Sequence, residues 1–291
     1  MKKKLHVILI PVFNDWKSFN CLISEINKEF EKLRDFQNEI LIVDDASTKK
    51  RNILNKNLKN IKKISVIKLI QNSGSQKAIA TGLSFLKKYK KNFFITVMDS
   101  DGEDKPSEII KMLIEAKKFK DFVITSNRKK REEAFLIRFL YRIHLVFTFI
   151  FTLKWISFGN FTSFHSKNLN NILRRNSSWL AHSSAVAKNC KIKRLFAKRG
   201  KRYFGKSNLN LINLIEHSLR VNAVFLERIL VSSTIYFFII NLFLFTSLVK
   251  SLIMGALIIY LILSIFVKKK HSVANIDLDQ LIETSNFKNG K

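Results

Sequence analysis

The apolar run Phe93-Phe94-Ile95-Thr96-Val97-Met98 stops at Asp99-Ser100-Asp101, two carboxylates one residue apart. Its β-branched and aromatic side chains read as a buried strand. The Asp pair then lies just past the strand's C-terminal end, the edge at which open α/β sheets keep their ligands. Carboxylates this close repel unless something cationic sits between them. A divalent ion with hard oxygen ligands, its shell completed by phosphate, is the natural occupant. A solvated turn whose acids cap a helix starting at Pro106 is the alternative.

The preceding chain repeats the pattern. Leu5 to Ile10 reads as a strand leaving through Pro11-Val12-Phe13-Asn14-Asp15, and Phe19, Leu22, Ile23, Ile26 and Phe30 follow at helical spacing. Ile40 to Val43 is a second strand, ended by Asp44-Asp45-Ala46-Ser47, and Ile64 to Leu69 a third. Asn72 to Gln76 leads into a helix through Ala78, Ile79, Leu83 and Leu86; another helix runs from Pro106 to about Phe119, before a strand at Phe122 to Thr125. Strands alternating with helices predict a mostly parallel sheet covered on both faces. Right-handed crossovers gather the loops at 13–15, 44–47, 72–76 and 99–101 on one edge.

Beyond Arg128 the character changes. Ala134 to Ile156 is apolar but carries Arg138, Arg142, His144 and Lys154, leaving only nine residues between the last two. That is too short to cross about 30 Å of hydrocarbon. It suits an interfacial amphipathic helix, with a buried core helix as the alternative. Ile229 to Val249 holds 21 uncharged residues and Ser251 to Val267 holds 17, with Lys250 alone between them, so a two-helix transmembrane hairpin is expected. Arg220, Arg228 and Lys268 to Lys270 flank it, which predicts both termini and the loop-bearing domain on the cytoplasmic side. The expected division is a domain at 1–208, a juxtamembrane helix at 209–228, the hairpin at 229–267 and a cytoplasmic tail at 268–291, loose after His271.

A net charge of +30 in a chain that is 47% hydrophobic is foreign to an ordinary soluble globule. Such a chain addresses nucleic acid, anionic lipid or phosphorylated small molecules. With no zinc-finger, recognition-helix or RNA-binding aromatic signature, no nucleic acid partner is expected. Cys21 and Cys190 are isolated, which argues against a disulfide framework or zinc site. The basic, apolar start from Met1 to Ile10 breaks at Pro11 without a small-residue cleavage site, unlike a signal peptide.

Taken in order, these motifs resemble the family 2 glycosyltransferases, in particular the membrane-anchored branch similar to dolichyl-phosphate mannose synthase and bacterial polyisoprenyl-phosphate glycosyltransferases. Ile10 to Asp15 matches I-P-x-[YF]-N-[ED], and Val43 to Ser47 matches V-D-D-x-S. Asn72-x-Gly74-x-Gln76-x-Ala78 matches the next loop, while Asp99-Ser100-Asp101 with Glu103 and Pro106 stands for D-A-D-L-Q-x-P-P. Gly159-Asn160-Phe161 resembles the start of the acceptor-side segment, and Arg202 to Ser207 resembles R-x-x-G-x-S-K.

The resemblance implies a GT-A-like nucleotide-sugar-binding domain and inverting sugar transfer. It implies Mg²⁺ or Mn²⁺ held by Asp101 with Asp99 alongside, and a donor contacted by Pro11, Phe13, Asp15, Asp44, Gln76, Asp99 and Ser100. Arg202 and Lys206, on a flexible loop, would grip the pyrophosphate. Arg128, Arg131 and Ser207 would meet the acceptor. The partners implied are a nucleotide-diphospho-sugar, polyprenyl phosphate or another lipid-linked acceptor, and the membrane; a homo-oligomer stays open.

Three departures stand out: Asn208 replaces the lysine after Ser207, Glu103 replaces Gln, and Ile156-Ser157-Phe158 lacks the acid many relatives place before Gly159. A hydroxyl acceptor needs a base whereas a phosphate does not, so the last favours a phosphate acceptor and is equally compatible with reduced activity. Transfer to a hydroxyl of a lipid-linked saccharide, and a non-catalytic basic membrane-attached binding protein, are the other readings.

Overall fold

The computed structural model describes residues 3–53, 58–89, 92–128, 135–205, 211–243, 247–271 and 283–288. Eight strands form one sheet: β1 Lys4–Val12, β2 Phe36–Asp44, β3 Lys63–Lys68, β4 Phe94–Val97, β5 Phe122–Arg128, β6 Phe158–His165, β7 Lys191–Ala197 and β8 Glu283–Lys288, in spatial order β7-β5-β6-β4-β1-β2-β3-β8. The pairs β1–β2, β1–β4, β2–β3 and β5–β7 are parallel. β6 enters antiparallel between β4 and β5, and β8 is antiparallel to β3.

The continuous apolar runs are explained by burial on both faces. Along β1, Val7 and Leu9 join one core cluster while Ile8 and Ile10 join the other. α2 (Ser75–Lys87) covers the first face, and Gly82 lets it come close, because a Cβ there would meet Leu9 and Val43. α1 (Trp16–Glu29) and α3 (Pro106–Lys118) cover the second through Phe19, Leu22, Ile23 and Ile26 and through Ile109, Met112, Leu113 and Ala116. Each of the Leu, Ile, Met and Phe side chains so buried contributes roughly 1.5–3 kcal/mol relative to exposure. Pro106 at the first position of α3 needs no hydrogen-bond partner for its missing N–H.

β6 and β7 are additions to the strands expected from hydrophobic pattern. Phe158–His165 reads as polar, yet Thr162, Ser163 and His165 are buried because their polar atoms are paired. Ser163 Oγ lies 2.6 Å from Thr96 Oγ1, Thr96 Oγ1 lies 2.9 Å from His6 Nε2, and His6 Nδ1 lies 3.1 Å from Asn38 Oδ1. This string crosses four neighbouring strands. The short helices α5 (Leu169–Ile172), α6 (Ser177–Leu180) and α7 (His182–Asn189) then lead from β6 to β7.

The remaining helices, α4 (Phe135–Thr152), α8 (Leu211–Ala223), α9 (Leu226–Leu242) and α10 (Ser247–His271), pack beside the sheet domain around Phe151, Ile229 and Tyr260. Among the described residues α10 alone is long and apolar enough to cross a membrane, while α8 and α9 reach that length only as a pair bent by 91°. Lys250, expected between two spans, lies in the first turn of α10, and the break falls after Leu242 instead. The chain beyond His271 differs from a loose tail: β8 returns to close the β3 edge of the sheet. An edge strand carries unpaired backbone groups, which satisfy a six-residue polar segment that has no hydrophobic pattern of its own.

Candidate active site

Parallel register brings the C-terminal ends of β1, β2 and β4 to one edge. Val12 pairs with Asp44, the Asp45 N–H donates to the Val12 carbonyl (2.9 Å), and the Met98 N–H to the Leu9 carbonyl (3.2 Å). The loops leaving these strands are then fastened by side chains. Asn14, with φ of 55°, accepts the N–H groups of Thr48 and Lys49 on Oδ1 (both 2.9 Å) and donates its own N–H to Ser47 Oγ (2.9 Å). Asn tolerates this left-handed conformation better than most residues.

Asp44 and Asp45 divide the work differently from expectation. Asp44 is buried, accepts the Ser47 N–H at 2.9 Å and does not line the cavity. Asp45 lines it and receives the N–H groups of Ser73 and Gly74, both at 2.8 Å. Burial raises the Asp45 carboxyl above the ordinary carboxylate range, opposed by those two N–H bonds.

At the end of β4, Asp99 accepts the Asn160 side-chain amide at 3.2 Å. Asp101 accepts the Glu103 N–H on Oδ1 (2.9 Å) and Arg202 Nη2 on Oδ2 (2.6 Å). Glu103 pairs with Arg199, and with Arg202 Nε at 3.3 Å. Gln76 lines the cavity but is occupied at both ends: it donates to Asn160 Oδ1 (3.1 Å) and accepts the His182 N–H (2.7 Å). Its side chain thereby braces Asn160 while lining the cavity.

These loops border a cavity of about 1730 Å³, larger than the roughly 300–1,000 Å³ of a typical small-molecule site. The motif loops line it with Pro11, Phe13, Asp15, Asp45, Ser100, Asp101 and Arg202. α4 adds the apolar Leu140, Ile143 and Phe147 to the lining, and α8 adds Leu214, Ile215 and Val221. His144 Nδ1 and Ser218 Oγ, 2.6 Å apart, tie the two helices together there.

Of the residues singled out from sequence, Pro11, Phe13, Asp15, Gln76, Asp99, Ser100, Asp101 and Arg202 line this one cavity, and Asp44 stands behind it. Arg128 ends β5. Arg131, Lys206, Ser207 and Asn208 lie outside the described residues. Asp45, Arg199 and Asp104 line the cavity without having been assigned a contact from sequence; Asp45 is the second acid of the V-D-D-x-S match, and Arg199 and Asp104 lie beside motif residues.

Among the described residues no three acidic, histidine or cysteine side chains surround a common point. Asp99 and Asp101 are a hard-oxygen donor set of the kind that binds Mg²⁺ through one or two carboxylates plus a ligand's phosphates. The residues fit such an ion on the condition that a diphosphate completes its shell.

A mixed sheet with helices on both faces and a ligand cavity at the strand ends, crossed by an Asp-x-Asp turn, defines a GT-A-like α/β domain. The model of the glycosyl transferase family 2 matches residues 7–188, and the chain belongs to that family. The uncharacterized protein MJ0544 of Methanocaldococcus jannaschii is 32% identical over 109 residues, covering 37% of this chain and 44% of that protein. The chain thus matches less than half the length of this curated relative. Glucosyl-3-phosphoglycerate synthase from Mycobacterium tuberculosis, in complex with Mn²⁺, UDP and phosphoglyceric acid, superposes with a TM-score of 0.51 at 14% identity, covering 78% of each chain. Its complex with Mn²⁺, UDP-glucose and phosphoglyceric acid gives 0.50 at 13% identity over 78% of this chain and 80% of that one. S. aureus TarS 1–349 with UDP-GlcNAc gives 0.47 at 20% identity, over 77% of this chain and 66% of that one.

Proposed function

We propose that the protein moves a sugar, with inversion, from a nucleotide-diphosphate donor to a polyprenyl phosphate at the cytoplasmic face of a membrane. The observation that carries this reading is the lining of the cavity. Charged residues of the family motifs share it with apolar side chains of α4 and α8, two helices that also expose Phe139, Ile143, Val146, Ile212 and Ile215. A lipid with a phosphate head matches both kinds of lining at once.

Pro11, Phe13, Asp15 and Asp45 wall the nucleotide, and Arg202 with Lys206 grips the diphosphate by charge-assisted hydrogen bonds. Asp99 and Asp101 hold Mg²⁺ or Mn²⁺, which when bound neutralises charge on the departing diphosphate. The Mn²⁺ and UDP named with the mycobacterial synthase support a divalent ion beside a nucleotide diphosphate, without bearing on which residues hold it. Arg128, Arg131 and Ser207 take the acceptor phosphate. One of its oxygens bonds to the anomeric carbon from the face opposite the diphosphate, which leaves with the electron pair of the broken C–O bond. Where the chain precedes Gly159 it offers the cavity Ser157 and Phe158 and no carboxylate; an anionic acceptor needs no base there. α9 and α10 form the membrane anchor, with Arg228 and Lys268 to Lys270 at its cytoplasmic end.

The test is transfer by the purified full chain in detergent, screening nucleotide-sugars against a short-chain polyprenyl phosphate and weighing the product. A product heavier by one sugar residue, lost with EDTA and in Asp101→Asn, is expected. Undiminished turnover in either refutes the metal role, and a sugar found only on a hydroxyl acceptor refutes the acceptor.

A further inference from the structure

Arg202 is not carried by an independent lid. Gly200 N–H donates to the Glu103 carbonyl (2.8 Å), Tyr203 N–H donates to the Asp101 carbonyl (3.0 Å), and a β-bridge joins Asp104 to Arg199. A Cβ on Gly102 would strike the Tyr203 ring, and one on Gly200 would strike the Gly102 carbonyl. The stretch 199–203 is therefore seated on the 101–104 turn, and the guanidinium rides on the same backbone as the carboxylate it pairs with. With Asp101 Oδ1 taken by the Glu103 N–H at 2.9 Å and Oδ2 by Arg202 Nη2 at 2.6 Å, a cation arriving at this carboxylate meets a cation already there. The contact of Arg202 Nε with Glu103 Oε1, at 3.3 Å, is outside that conflict. Glu103 also balances Arg199, a charge that the Gln of the family pattern could not supply.

We propose that Glu103 is a positioning residue. When a divalent ion claims Asp101, Glu103 keeps Arg202 at the rim, so the guanidinium that stands in for the ion without donor becomes a ligand of the diphosphate with it. This rests on the donor reading above and adds the competition at Asp101 and the role of Glu103.

The experiment uses the full chain in detergent, with Mn²⁺ binding followed by electron paramagnetic resonance and UDP binding by calorimetry, for wild type, R202Q, E103Q and the double variant. R202Q is expected to bind Mn²⁺ alone about fivefold more tightly, the effect of removing one part-exposed ion pair. E103Q is expected to weaken UDP about tenfold in the presence of Mn²⁺, and to add nothing in the R202Q background. Should E103Q melt early, E103D is measured in its place and is expected to weaken UDP in the same direction. Unchanged Mn²⁺ affinity in R202Q, or a Glu103 effect that persists undiminished without Arg202, overturns the inference while the donor reading stands. A wild type that binds neither Mn²⁺ nor UDP overturns both.

Discussion

The side-chain amide of Asn160 donates to the carboxylate of Asp99 at 3.2 Å while its carbonyl accepts from Gln76 at 3.1 Å. One residue of β6 thereby fixes an acid at the end of β4 to the start of α2, across a strand boundary that hydrophobic pattern does not reveal. Asn160→Ala leaves Asp99 less restrained and is expected to lower kcat/KM about tenfold, with the melting temperature little changed. Steady-state kinetics with the donor identified by the transfer screen checks this; full activity means that other groups orient Asp99.

Asn14 separates backbone strain from hydrogen bonding. Asn14→Gly accepts the φ of 55° but loses the bonds to Thr48 and Lys49, whereas Asn14→Ala loses the bonds and strains the backbone by about 1–2 kcal/mol more. Thermal melts should rank wild type above Asn14→Gly above Asn14→Ala, while UDP affinity falls equally in both variants. Equal melting of the two variants would mean that the loop relaxes out of the left-handed conformation.

The C-terminal carbonyls of α4 are closed by side chains of α9. Arg228 donates to Thr152 (2.8 Å), Ser232 to Phe151 (3.1 Å) and Tyr236 to Ile150 (2.6 Å). Helix ends buried without partners are costly, more so near lipid where water is scarce. Tyr236→Phe is expected to cost about 1 kcal/mol, read as a lower melting temperature in detergent. No change would mean that α4 and α9 do not hold each other.

Burial holds both His6 and His182 neutral, down from the ordinary 6.5 to about 4. Their unfolded forms take up protons first as pH drops, so stability is full above about 6.5 and is lost as pH falls from there towards 4. Each ring withdraws about 2 kcal/mol by pH 5. Melts between pH 7.5 and 5 should show this slope, and His6→Gln should flatten part of it. A flat profile in wild type would show that neither ring titrates on unfolding.

How much was readable beforehand follows from which interactions are local. β1 to β5 and α1 to α3 announce themselves because a strand buried on both faces must be apolar throughout and an amphipathic helix must repeat at 3.6 residues. β6 stayed hidden because Thr162 and Ser163 are buried through hydrogen bonds to His182 and Thr96, far along the chain. Lys250 is the single charge between two apolar runs and reads as a turn, but a lysine near a helix start can extend its charged end outward without ending the helix, and α10 continues through it.

The sequence by itself determined the covered sheet, the edge on which the loops meet and the Asp99/Asp101 pair placed there, because period and strand-end chemistry are carried by neighbouring residues. Only the tertiary structure decided that Asp45 rather than Asp44 borders the cavity, that Gln76 serves Asn160, and that Arg202 rests on Asp101 and Glu103. Those depend on contacts contributed from tens of residues away: the Ser73 and Gly74 N–H groups at Asp45, Asn160 at Gln76 and the Arg202 guanidinium at Asp101. No local pattern encodes that.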